Sequence, residues 1–218
     1  MTSAKKLVIA LAAVVGMTAP AWAQRMPQAP RMPGEFKPVV GSGAQYDVTM
    51  KKEKLTWAFA VVGKENVEGA EGYWLEMRLE GGREGSTVIK QLMVMRADRP
   101  EIKRMIMQAA GQPPMEMPME MLSGMMKMGQ QAPASTEKGL GEKLGTEPVI
   151  VPAGTFLCDH YRTQSGKTTA DVWVSTKVSP YGAVKMTSAD MTMVLTKVLT
   201  NETTQIKGEP QKFELPHF

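Results

Sequence analysis

One cysteine, Cys158, stands among 218 residues, which excludes a disulfide framework and any Cys-rich zinc site. Two histidines, one of them next to the C-terminus, leave little for imidazole-based metal binding or proton transfer. Runs of Lys and Arg are missing. The formal charge is only +4, of which Lys5 and Lys6 supply two, so a nucleic-acid partner is not expected. Beyond the first 23 residues no apolar run approaches the roughly 20 residues that a membrane-spanning helix needs. The G-x-S-x-G, H-E-x-x-H, Walker and dinucleotide fingerprints are all lacking, and the carboxylates are scattered at strand ends and outer faces. No enzymatic activity and no cofactor are expected.

What is present begins with a leader. Lys5 and Lys6 precede the apolar run Leu7–Val15, Pro20 breaks it, and Ala21-Trp22-Ala23 forms an A-x-A cleavage site. The leader (1–23) predicts export to the periplasm or beyond, with Ala21 and Ala23 framing cleavage before Gln24. No cysteine lies near the cut for an acyl anchor. Residues 24–43 carry four prolines and three glycines and predict an extended or disordered tether.

With 43% apolar and 22% charged residues, the remainder can bury a core. Period-two alternation predicts strands over 44–50, 54–62, 72–80 and 86–96. Leu55, Trp57, Phe59 and Val61 share one strand face, and Tyr73, Leu75, Met77 and Leu79 share another. Glu76 and Trp74 fall on the opposite side from this second set.

The period then changes. Asp98-Arg99-Pro100-Glu101 resembles a capped helix start, and Ile102, Met105, Ile106 and Ala109 follow at i, i+3, i+4, i+7. Met121, Leu122, Met125 and Met128 predict a second short helix entered at Pro118. A helical insertion is therefore expected over 98–128, with a flexible loop over 129–146. Strands resume as Val149–Val151, 156–163, 169–175, 183–188 and 191–200. The last ten residues read as frayed. The expectation is one mainly β (α+β) domain over 44–208, a curved antiparallel half-barrel sheet with one or two Met-rich helices on its concave face.

Methionine is the compositional anomaly, at 20 residues, nine of them between 105 and 128. Three readings stay open: a pliable apolar surface, a soft-metal site, or core filling. The first predicts an apolar groove that takes a lipid or another apolar small molecule. It would be lined by the two strand faces above, with Met105, Met121 and Met125 as its lid. The second predicts copper on Met115, Met117, Met119 and Met121, completed by Cys158 and His160, which share a strand face. The third leaves an envelope protein with a structural role.

Three runs carry a resemblance: Pro148-Val-Ile-Val-Pro-Ala-Gly-Thr-Phe-Leu-Cys158, Asp171-Val-Trp-Val-Ser175 and Pro180-Tyr-Gly-Ala-Val-Lys-Met186. They resemble a group of exported bacterial proteins similar to the LolA/LolB-like superfamily of periplasmic lipoprotein and lipid carriers. The resemblance covers about a quarter of the chain. It implies a strongly curved antiparallel sheet with helices plugging it and, by analogy, an apolar cargo. It implies no particular binding residue. This chain departs from the carriers in its Pro-rich start and its Met-rich insertion.

Overall fold

The computed structural model describes residues 32–51, 53–82, 85–96, 99–124, 140–165 and 168–212. The leader with Ala21 and Ala23, residues 24–31 of the tether, Met125, Met128 and 129–139 of the expected loop lie outside these. The described residues form β1 (Gly43–Met50), β2 (Glu53–Val67), β3 (Ala70–Gly81), β4 (Thr87–Arg96), β5 (Arg99–Ala109) and β6 (Met115–Glu116). After helix α1 (119–124) come β7 (Glu142–Val151), β8 (Gly154–Ser165), β9 (Thr168–Val174), β10 (Ala183–Ser188), β11 (Met191–Leu199) and β12 (Gln211–Lys212).

All twelve strands make one curved open sheet in the order β12-β6-β5-β4-β3-β2-β1-β11-β10-β9-β8-β7. Neighbours in the chain are mostly neighbours in the sheet, as short hairpins require. The β2–β3 turn shows why: Glu68 and Gly69 both take positive φ (52° and 83°), the conformation that a two-residue hairpin demands, and Asn66 Oδ1 accepts the N–H of Gly69. The long-range join is β1 against β11, which unites the two halves. At the β7 end the sheet rolls until the N–H of Ala153, in the β7–β8 turn, lies 3.4 Å from the carbonyl of Leu195 on β11.

The expected helix over 98–109 is a strand. β5 pairs with β4 along its length, from Arg96↔Arg99 to Thr87↔Ala109, with a bulge between Leu92 and Met93. Pro100 is tolerated at the second position of the strand, where little ladder bonding is lost. The expected loop over 129–146 is also partly strand, since β7 begins at Glu142. Of the helical insertion, the described residues keep only α1, which buries Leu122 at 2% exposure.

Register sorts the β1–β6 side chains onto two faces. One row runs Ala44–Phe59–Met77–Ile89–Met107–Met115 across six strands. This methionine face also carries Tyr46, Trp57, Val61 and Leu75. The opposite face carries Trp74, Glu76 and Arg78 of β3, Leu92 of β4, and Arg104, Ile106 and Gln108 of β5. It is crossed by the segment 200–212, here called the strap. Ile206 of the strap packs on the buried cluster of Trp74, Leu92 and Ile106. The expectation of a frayed end is corrected for 209–212, where 211–212 close the strap as β12, parallel to β6; 213–218 lie outside the described residues.

Glu76 is not on a solvated outer face, where the carboxylates were expected, and Trp74 beside it is buried too. Glu76 is fully buried and Trp74 is 8% exposed. The Glu76 carboxylate accepts from Thr204 Oγ1 (2.6 Å), from Gln205 N (3.0 and 3.1 Å) and from Arg78 Nε (3.0 Å). Gln108 clamps the next turn of strap, accepting from Lys207 N and donating to Lys207 O. A buried carboxylate survives because each lone-pair direction has a donor.

The end of the tether is also held. Gly34 approaches the β9–β10 loop so closely that a Cβ there would lie 1.8 Å from the carbonyl oxygen of Tyr181. Lys37 N donates to Pro180 O, and the Phe36 and Tyr181 rings lie 5.4 Å apart. Tyr181 in turn meets Phe59 edge-on at 6.1 Å, so this loop covers part of the methionine face. The Tyr46 hydroxyl beneath donates to Ala183 O, and burial pushes its pKa above the usual tyrosine range.

Candidate functional site: the methionine-lined end of the sheet

The residues expected to line an apolar groove do share a surface. Trp57↔Leu79, Phe59↔Met77 and Val61↔Leu75 are directly opposed on β2 and β3, and Gln91 of β4 links Leu75 to Met105. This surface is packed rather than open. Phe59, Val61, Leu75 and Met77 are at most 2% exposed, while Trp57 and Met105 reach 9% and 8%. Leu55, Tyr73, Leu79 and Met121 are half-buried at its margin. The Tyr73 hydroxyl is turned to the Glu71 carboxylate at the rim. Burial pushes the Tyr181 hydroxyl above this surface up to about 12. Met125, the remaining lid residue, lies outside the described residues.

Two clefts on the described surface are largely polar, and of the two only the second touches this set, at Leu55. One, of about 460 Å³, opens between Arg78, Ser86, Gln108 and the strap residues Gln205 and Lys207. The other, of about 510 Å³, lies over Asp47, Thr49, Lys54 and Thr56.

The methionines come together in a way that the helical reading did not foresee. β6 runs antiparallel to β5, so Met115 stands opposite Met107. Met117 N donates to Met105 O at 2.9 Å, which extends the ladder and sets Met117 opposite Met105. Pro118 ends the strand and α1 starts one residue later. Exposure rises outward: Met117 is 5% exposed, Met107, Met115 and Met121 are half-buried, and Met119 is 46% exposed. The wall is anchored from the opposite face by Arg104, whose guanidinium donates to both oxygens of Glu116 (2.7 and 3.0 Å). That pairing holds the Glu116 carboxyl below the usual carboxylate range.

The other half of the expected metal set is remote. Cys158 and His160 are on β8, and eight strands separate β8 from β6 in the sheet order. Cys158 is fully buried, and burial pushes its thiol up to about 11. His160 stacks on Trp173 at 4.3 Å, with Glu147 Oε1 3.3 Å from Nδ1. Its buried Nε2 lies 3.4 Å from Asp171 Oδ1 without completing a hydrogen bond. Trp173 donates its indole N–H to Glu147, and Lys185 lies over its ring, so both partners of this strut are engaged. Among the described residues no cluster of His, Cys, Asp and Glu could hold a metal ion. No helix among them is long and apolar enough to cross a membrane.

Neither the strap nor the Glu76 latch was foreseen. The available signals were the Glu76–Arg78 pair on the same strand face as Trp74 and a lone Ile206 in a polar tail.

No protein-family model matches the chain, and no curated protein matches it. Among solved structures it is similar to a protein of Bacteroides fragilis described as exported, with a YmcC-like fold. The identity is 10%, over 77% of this chain and 99% of that one, with a TM-score of 0.37. It is also similar to a protein of Parabacteroides distasonis described as a lipoprotein, at 12% identity, over 77% of this chain and all of that one, with a TM-score of 0.38. Neither is described as a LolA- or LolB-like carrier.

Proposed function

We propose that this is an exported, non-enzymatic envelope protein that binds an apolar ligand, a lipid or the acyl chain of a lipidated partner, at the methionine-lined end of the sheet. The leader supports export, and the LolA/LolB-like resemblance of 148–186 supports the class of cargo. One observation carries the reading: the opposed pairs Met105/Met117 and Met107/Met115, continuous with the apolar row through Ile89 and Met77. Thioether side chains are unbranched and polarizable, so such a wall can repack around a chain of varied shape. In this reading α1 is the cover, hinged at Pro118 and opened by the ligand.

The test is titration of the mature protein with a fluorescent fatty acid, alongside native mass spectrometry of protein taken from a periplasmic extract. Saturable binding that is lost in Met115→Arg and Met121→Arg is expected. Absence of binding, or binding indifferent to both changes, refutes the reading. A one-equivalent Cu(I) titration, abolished on changing Met115, Met117, Met119 and Met121 to Leu, would replace it with copper handling. Neutral thioethers without a thiolate or imidazole beside them are expected to hold copper no tighter than about micromolar.

A further inference from the structure

Residues 105–121 contain six methionines and a single other large aliphatic residue, Ile106. Wherever this segment needs bulk on the methionine face, it uses a thioether. Strand propensity does not ask for this, because strands favour β-branched and aromatic residues. Volume does not ask for it either, because Leu fills nearly the same space. What Met adds is a sulfur lone pair, open to two-electron oxidation.

The structure grades access to those sulfurs. Met119 is the outermost, at 46% exposure; Met121, Met115 and Met107 are half-buried behind it; Met117 and Met105 are nearly sealed. Because Met107 stands directly opposite Met115, an oxygen on either sulfur would be pressed against an apolar partner. We propose that Met119, Met121, Met115 and Met107 form a modification site for hypochlorous acid, and that their conversion to sulfoxides lifts α1 (119–124) off the methionine face. The sulfur lone pair attacks chlorine and displaces hydroxide. Water then adds to the chlorosulfonium, and chloride and two protons leave. Overall, thioether and hypochlorous acid give sulfoxide, chloride and one proton; sulfur loses two electrons and chlorine gains them. A sulfoxide is polar, and the thioether opposite it offers no hydrogen-bond donor, so keeping it packed in the Met107–Met115 pair is costly.

The inference rests on the reading above only in taking α1 (119–124) as the cover of the methionine face. Binding of fatty acid by untreated protein tests that function separately, so either can fail alone. The experiment is titration of the mature protein with limiting hypochlorous acid, quenched with free methionine. Sulfoxides are located by tandem mass spectrometry, and an apolar dye reports the uncovered face. Met119 and, outside the wall, Met95, at 46% and 40% exposure, are expected to oxidise first and Met121, Met115 and Met107 of the wall next, with Met77 and Met193, at 2% and 0% exposure, spared. Dye binding should rise with the second group and return on treatment with methionine sulfoxide reductases. A variant carrying M107L, M115L, M119L and M121L should lose the dye response. Sulfoxides at all four positions without a dye rise overturn the inference, as does a rise that persists in the folded Leu variant. Should that variant not fold, wild-type protein decides: dye binding that stays high after the four sulfoxides are reduced overturns it.

Discussion

Replacing Glu76 by Ala should loosen the strap and leave the sheet standing. The carboxylate has no exposure and serves three donors: the Thr204 hydroxyl, the Gln205 N–H and the Arg78 guanidinium. Removing one member of a buried charged network costs about 3–5 kcal/mol, because the partners are left without acceptors. Here the lower end applies. Thr204 and Gln205 can turn to water if the strap peels back, and Arg78 keeps Glu202 at 2.7 Å. About 3 kcal/mol in a domain of this size lowers Tm by about 6–12 °C. Glu76→Gln keeps one acceptor oxygen and should cost roughly half as much. Urea unfolding gives the free energies, and hydrogen exchange gives the place. Protection should fall at Gln205, Lys207 and Gln211, whose amides bond to Glu76, Gln108 and Pro114, while the β2–β3 amides change little. A Glu76→Ala protein within about 0.5 kcal/mol of wild type, with Gln205 still protected, would refute the latch.

Three further outcomes follow from single groups. Cys158, with its thiol raised to about 11 by burial, should resist iodoacetamide in native protein at pH 8 and label fully once unfolded; labelling at equal rates in both states would contradict its placement. The Glu116 carboxyl is held low chiefly by the hydrogen bond from Arg104, so its contribution is present above the ordinary carboxylate range and lost as pH falls through the depressed folded value. Glu116→Gln should therefore cost under about 1 kcal/mol at pH 7, given how open the pair is, and nothing in strong acid; an equal gap at both pH values in paired unfolding curves would sink this account. N-terminal sequencing of the exported protein should begin at Gln24, and a mature envelope form that starts at Met1 would contradict the leader.

The strands with one solvated or lightly covered face were legible from alternation. β1 buries Ala44, Tyr46 and Val48 and exposes Asp47 and Thr49, as the sequence pattern requires. The β8–β9 and β10–β11 hairpins fell where Gly, Ser and Asp break the pattern. β5 was not legible, and the cause is physical. Its methionine face packs in the core while its other face meets the strap, so Met105 and Ile106 are both buried and alternation vanishes. A strand covered on both sides has no period of two to display. With a bulge inserted, its apolar residues also fit a helical stripe by accident.

The same double coverage explains why the candidate site was half seen. Composition marked the methionines, and register alone could bring them together. On a helix, Met105 and Met107 would point about 200° apart. On β5 they point the same way and face Met117 and Met115 across the ladder. Joining residue 105 to residue 117 takes a turn through Gly111, Pro113 and Pro114, which the sequence offers equally well as a helix stop or as a hairpin. What decides between them is the strap. Gln211 donates to Pro114 O and pairs beside Met115, so the C-terminal residues close the edge on which β6 forms. β6 is only two residues long, and a strand that short is held by its neighbours rather than by its own propensity. The methionine wall on one face and the Glu76 latch on the other are therefore two sides of one cooperative edge. Loosening the latch should make Met115 and Met107 react faster with hypochlorous acid, and an unchanged rate in Glu76→Ala would separate the two.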